Sequence, residues 1–148
     1  MKYVLNKLNI IARLAEANRY VQNHLDTRYR PLEISGYDHV YITLACRNPG
    51  ISQKDLKRYL TVDQSNITRN VIRLEKSGFI RRERDEKDKR VWRIYPTEKS
   101  KKNYQTIVQI FDDLQDEILK DFTQEEKENL SDYLIRIKNH LSKKEEKL

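Results

Sequence analysis

The stretch 61–95, TVDQSNITRNVIRLEKSGFIRRERDEKDKRVWRIY, leaves few folds open to this chain. Ile67, Val71 and Leu74 recur at spacings of four and three, which sets them on one face of a helix. Asp63 is predicted as the N-cap, because its carboxylate can accept from the free N–H groups of the first turn. Ser77-Gly78 predicts the end, since Gly78 can take the left-handed conformation that a C-terminal cap needs. Gln64, Ser65, Asn66, Thr68, Arg69 and Arg73 fall on the other face, an exposed row of short hydrogen-bonding groups and arginines. Two runs with strand character follow, 79–84 and 90–95. The charged link Asp85-Glu86-Lys87-Asp88-Lys89 joins them without one apolar residue. The helix must therefore pass straight into a hairpin with a charged tip, which Trp92 is expected to anchor.

The flanks supply the rest of the architecture. Residues 3–23 predict a long helix with Val4, Leu8, Ile11 and Ala15 in one stripe and Leu5 and Ala12 beside it. Pro31 disfavours a helical Arg30, so 26–34 is expected to be a connection. Ser35 and Asp38 fit a capping arrangement for a helix running to about Arg47 and burying Val40, Leu44 and Tyr41 or Ile42. Asn48-Pro49-Gly50 reads as a turn. Ser52 and Asp55 repeat the start signal for a short helix through Leu56 and Tyr59. Thr61-Val62 then links it to the helix at Asp63, a helix-turn-helix. Pro96 suits the first turn of a helix over about 97–120, with Tyr104, Ile107, Phe111, Leu114 and Ile118 at spacings of three and four. Thr123 and Glu126 form a capping box that restarts the helix over 124–141, with Leu130, Tyr133, Leu134, Ile137 and Leu141 as its stripe. The tail, 142–148, is expected to fray.

The expected fold is mainly α (α+β): a winged helix-turn-helix core with a two-stranded β-wing, over 35–96. An N-terminal dimerisation helix and connection precede it (1–34) and two C-terminal dimerisation helices follow (97–148), all in one intertwined domain. The outer helices are too long and too striped to stand alone, and a homodimer is the simplest way to cover them. Only 3 Gly and 3 Pro in 148 residues agree with a mostly helical chain. Net charge is +7 and unevenly placed: residues 51–102 carry 16 basic and 8 acidic side chains, residues 103–148 carry 7 and 11. A basic centre is the footprint of a polyanion-binding module. No apolar run approaches the roughly 20 residues that cross a bilayer, no signal peptide is evident, and the single Cys46 excludes an intramolecular disulfide. The cytoplasm is the expected compartment, with no membrane partner.

The order of these parts resembles the MarR family of bacterial transcriptional regulators over nearly the whole chain. The likeness is carried by Ser65-Asn66-Ile67-Thr68-Arg69 and Arg73-Leu74-Glu75-Lys76-Ser77-Gly78-Phe79-Ile80, which look like the recognition helix and its exit into the wing. Asp85, Asp88 and Arg90 look like the wing signature. Pro96-Thr97-Glu98-Lys99-Ser100 resembles the family's Leu-Thr-x-x-Gly, with Pro in place of Leu and Ser in place of Gly. The resemblance implies a homodimeric repressor, less often an activator, on a pseudopalindromic operator. Two recognition helices would then enter successive major grooves of double-stranded DNA.

Gln64, Ser65, Asn66, Thr68 and Arg69 are the candidate base and phosphate contacts, since Asn and Gln suit adenine and Arg suits guanine. Ser65 and Asn66 equally suit a cap-and-turn role. Arg73, one turn deeper, is placed either to meet a phosphate or to pair with an acid of the domain. Lys87, Asp88, Lys89 and Arg90 sit at the wing tip. The resemblance puts Arg90 in the minor groove, where negative potential favours arginine, with Asp88 holding its guanidinium. Ser52, Gln53 and Lys54 begin the first helix of the motif, where N–H groups can hold a phosphate. The resemblance also implies a small-molecule effector pocket between the dimerisation helices and the DNA-binding lobe, with Tyr20, Tyr29, Tyr37, Tyr41 and Tyr104 as candidates for an aromatic or phenolic ligand. Those tyrosines serve equally well as ordinary core. No catalytic constellation, cofactor or metal site is predicted: 3 Gly hardly build a phosphate loop, and His24, His39 and His140 are scattered. His39 is expected to pack on a helix face and Cys46 to be a small buried hydrophobe, though Arg47 beside it could lower its pKa. Two other readings stay open, a redox- or metal-responsive regulator and a winged-helix protein–protein interaction module.

Overall fold

A computed structural model describes residues 9–35, 37–60 and 62–145, in two compact units, Met1–Asp112 and Asp113–Leu148. Five α-helices and three short strands follow the order α1 (Ile10–Tyr29), α2 (Asp38–Arg47), β1 (Ile51–Ser52), α3 (Gln64–Lys76), β2 (Ile80–Arg84), β3 (Trp92–Pro96), α4 (Glu98–Ile118), α5 (Gln124–Glu145). The fold is mainly helical around a winged helix-turn-helix, as the sequence predicts. No helix among the described residues is long and apolar enough to cross a membrane.

The first unit is built around α3. Its N-cap Asp63 accepts from the Asn66 N–H at 2.8 Å, and Gly78 beyond its end has φ +77°. Ile67, Val71 and Leu74 are all buried, with Leu56, Phe79, Ile80 and Ile94 completing the core of the lobe. Each such aliphatic side chain contributes about 1.5–3 kcal/mol by leaving water. β2 and β3 form the expected hairpin, with Arg84 opposite Trp92 and Ile80 opposite Pro96. β1 adds a third strand on the far side of β3, pairing Ile51 with Ile94 and Ser52 with Arg93, so the sheet order is β1-β3-β2. Gly50 (φ +86°) makes that approach possible: a Cβ there would stand 3.2 Å from the Tyr95 hydroxyl.

Several local expectations are corrected. Residues 52–59 do not form an α-helix. Ser52 ends β1, and a single 3-10 turn, Asp55–Arg58, follows. The capping chemistry survives, with the Asp55 N–H donating to Ser52 Oγ at 3.0 Å. The helix expected to stop near residue 23 continues as α1 to Tyr29. Arg30 stays helical ahead of Pro31 as a 3-10 turn begins, and Glu33 at φ 60° ends that turn. Val4, Leu5 and Leu8 lie outside the described residues, and Ile11 is 82% exposed. Pro96 ends β3 rather than opening a helix. Ser100, the residue standing for glycine in the family pattern, is fully buried, and its hydroxyl donates to the Phe79 carbonyl. It ties the start of α4 to the foot of the hairpin.

In the second unit, the Thr123–Glu126 capping box forms in both directions: the Thr123 N–H donates to Glu126 and the Glu126 N–H to Thr123 Oγ1. α5 runs on past 142 to Glu145, and 146–148 of the tail expected to fray lie outside the described residues. Its apolar stripe is bare in the single chain, with Leu130, Tyr133, Leu134 and Leu141 exposed.

Candidate nucleic-acid interface

The outer face of α3 is the first part of the site. Gln64, Ser65, Thr68, Arg69 and Ile72 line an open groove along it. Asn66 bridges its own helix: its Nδ2 donates to Asp63 at 2.6 Å and its Oδ1 accepts from Arg69 Nη2 at 2.8 Å. The Arg69 guanidinium is thus set at the end of a ladder of side-chain hydrogen bonds along the helix.

Not every candidate faces outward. Arg73 is engaged inside the domain, forming a bidentate pair with Asp38, whose Oδ2 receives Nη1 at 2.9 Å. Asp38 is only 2% exposed and also accepts the Ser35 N–H at 2.9 Å. A buried carboxylate needs such a partner, so the structure shows the acid pairing for Arg73, with half of its side chain still in solvent. Ser52 and Gln53 are buried as well. Ser52 Oγ is spent on Asp55, and Gln53 turns inward to Thr68. Of that trio, Lys54 alone is exposed.

The wing is the second part. Asp85 is its hub: Oδ1 accepts the Lys87 and Asp88 N–H groups, both at 2.9 Å, and Oδ2 accepts Arg93 Nε at 2.7 Å. Arg93 in turn reaches the Gly50 carbonyl at 3.2 Å, which joins the tip to the third strand. Asp88 accepts both the Arg90 N–H (3.0 Å) and its Nε (3.1 Å), while the Arg90 side chain is 91% exposed. A guanidinium is therefore presented at the tip on a fixed carboxylate. Further back, Arg84 lies over the Trp92 ring at 3.8 Å and Arg82 at 4.6 Å. Arg82 also pairs with Glu75 of α3 at 2.7 Å, clamping hairpin to helix. The sequence reading missed Arg82, Arg84 and Arg93. The alternation along 90–95 could have placed Arg93 beside the hub, but nothing local announces the reach of Arg82 to Glu75.

Those hydrogen bonds hold the Asp85 carboxyl down at about 2, below the ordinary aspartate value of 3.8: first the Asp88 N–H, then Arg93, then the Lys87 N–H. A depressed pKa means that the hub orders the wing fully above about pH 3.8 and releases it as pH falls towards 2. An NMR titration of the side-chain carboxyl carbons is expected to find Asp85 protonating well below pH 3.8. A midpoint at 3.8 or above would mean that the hub does not form.

Away from this face, α2 and α4 frame an open cleft of about 300 Å³. Val40, Thr43, Leu44, Ile107, Val108 and Phe111 form its walls, and His39, Arg47 and Asp112 are its polar groups. Val40 and Leu44 are thus cleft residues rather than core, and Tyr41, Ile42 and Ala45 are buried instead. The five candidate tyrosines do not gather here. Tyr20 and Tyr37 are exposed. Tyr41 is buried and accepts from Asn70 at 3.2 Å. Tyr29 is buried and donates to the Ile107 carbonyl at 3.1 Å. Tyr104 accepts from Arg47 Nε at 2.9 Å, at the edge of the cleft. His39 is buried, stacked between Tyr29 and Phe111 with ring centroids at 5.2 and 5.3 Å. Cys46 is half-buried, and burial pushes its thiol pKa up, against the lowering expected from Arg47. No cluster of potential metal ligands occurs among the described residues.

The MarR family model matches residues 38–92, the span from α2 into β3. The HTH-type transcriptional regulator YwoH of Bacillus subtilis is 30% identical over 139 residues, 93% of this chain and 97% of its own length. The chain belongs to the MarR family. It is a transcriptional regulator, as its relatives are, and not an enzyme. YybA of the same organism, another HTH-type regulator, is 29% identical and covers 97% of this chain and 91% of its own. Among solved structures, a MarR family regulator from Listeria monocytogenes, complexed with a 26mer DNA, superposes with a TM-score of 0.85. It is 25% identical and covers 92% of this chain and 91% of its own.

Proposed function

We propose that this MarR-family regulator is a homodimeric repressor that binds a pseudopalindromic operator and is released by a small molecule. The observation that carries the reading is the pairing of two rigid presenters on one lobe. The Gln64–Arg69 face of α3 is shaped for base edges, and Arg90 on Asp88 is shaped for a narrow minor groove. The DNA-bound Listeria relative supports the same partner for this chain. Lys54, Lys87 and Lys89 are exposed and flank these presenters as phosphate contacts. The bare apolar stripe of α5 supports a second copy of the chain as its cover, and sedimentation is expected to return a dimer. The cleft between α2 and α4, apolar-walled with Arg47 at its rim, suits an aromatic acid or phenol.

Selection of duplexes from a random pool tests the reading. A palindromic consensus is expected, and Arg90→Ala should bind it about tenfold more weakly with a shallower salt dependence. Enrichment of no sequence over random would end the proposal.

A further inference from the structure

Gln53 is a polar side chain enclosed in the lobe. It is 9% exposed and stands where three parts of the lobe meet. Its backbone N–H donates to the Trp92 carbonyl of β3 at 2.9 Å. Its side-chain Nε2 donates to Thr68 Oγ1 of α3 at 2.5 Å. Its Oε1 is buried and meets no donor among the described residues. An amide oxygen stripped of water and left unpaired is costly. A leucine or methionine would fill the same space without that cost; what the amide adds is its N–H on Thr68.

A threonine hydroxyl has one proton and two lone pairs. Gln53 fills a lone pair from inside the domain. Among the described residues the Thr68 hydroxyl donates to no group of the protein. A proton not taken up inside the domain can turn to the groove that Thr68 shares with Gln64, Ser65, Arg69 and Ile72. We infer that Gln53 is a positioning residue that sets Thr68 as an outward hydrogen-bond donor and so determines part of the operator preference. In the major groove a fixed donor donates to guanine N7 or O6, adenine N7 or thymine O4, and disfavours the cytosine amino group. The inference rests on the proposal that this face of α3 reads DNA. It goes further by giving a polarity to one contact and a residue that imposes it. Because the same residue bonds to β3 through its main chain, the polarity is also tied to the seating of the wing against the helix.

The test compares the full-length protein with Gln53→Met and Gln53→Glu on the parent's selected operator, on the same duplex carrying cytosine at each position in turn, and on random duplex. Gln53→Met keeps the volume and loses the donor. At one position per half-site, discrimination against cytosine should fall about tenfold, with random-duplex affinity and salt slope unchanged. Gln53→Glu is nearly isosteric and replaces the donor with an acceptor. It should draw the Thr68 proton inward and turn the preference at that position towards bases offering an amino group. The Glu variant carries the test if the Met variant melts early. Thr68→Val should erase the same preference, and adding Gln53→Met to it should change nothing more. Two results overturn the inference: parental selectivity in Gln53→Met, whether at parental affinity or with a uniform loss across all duplexes, which would make Gln53 a sequence-independent contact; or parental preference in Gln53→Glu. If the parent itself selects no sequence, the DNA reading fails first and takes this one with it.

Discussion

Arg73→Ala is expected to cost about 3 kcal/mol of folding stability, the low end of what breaking one side of a buried ion pair removes. The reason lies with the partner. Asp38 is 2% exposed, and without Arg73 its remaining described partner is the Ser35 N–H. The low end applies because half of the Arg73 side chain is in solvent, which lets water soften the loss. Urea unfolding should show a lower midpoint at an unchanged m-value. Removing both charges together, as Asp38→Leu with Arg73→Met, should recover most of the stability, since no orphaned carboxylate is left. A loss below about 1 kcal/mol in the single variant would mean that the pair behaves as a surface bridge. A structural role for Arg73 also predicts that the double variant, once folded, keeps the parental salt slope for DNA.

Arg69→Ala should weaken operator binding by about 1–3 kcal/mol and relax preference at one position per half-site. The Asp63–Asn66–Arg69 ladder makes this the most exposed test of the reading face, because the guanidinium is already held before DNA arrives. Little ordering entropy remains to be lost on docking, which favours the upper part of that range. Fluorescence anisotropy on the selected operator and on single-position variants measures it. A loss equal on every duplex, with the salt slope reduced by about 1, would reassign Arg69 to a phosphate. Folding should be unaffected, because the side chain covers no core.

What could be seen in the sequence divides along the range of the interactions concerned. α3 was legible because its determinants are local. The 67/71/74 spacing, the Asp63 cap three residues before Asn66 and Gly78 at φ +77° all act within one helix. The Asp88–Arg90 hold was legible for the same reason, being two residues apart. β1 was not, because two residues carry no periodicity and their partners lie more than forty positions away. The burial of Tyr41 and Ile42 in α2 was legible, but Val40 and Leu44 were misassigned by a hydrophobicity argument that works only when the core side is apolar. Its inner side includes Asp38, neutralised by Arg73 from 35 residues on, while Val40 and Leu44 turn to the cleft. Gln53 was placed on the surface as a polar residue at a helix start. Its true surroundings depend on α3 and β3 closing over it, which no local pattern encodes.

Trp92 is the chain's single tryptophan, and it lies on the wing beneath Arg84. Indole emission is sensitive to a cation on the ring face, so the protein carries an intrinsic optical reporter placed on the wing, one of the two elements proposed to read DNA. Any phosphate that draws Arg84 away, or any ligand that reseats the hairpin, changes the light from that one residue. The seating of the wing can thus be followed in the unlabelled protein, in real time, while α3, which has neither Trp nor Tyr, stays spectroscopically silent.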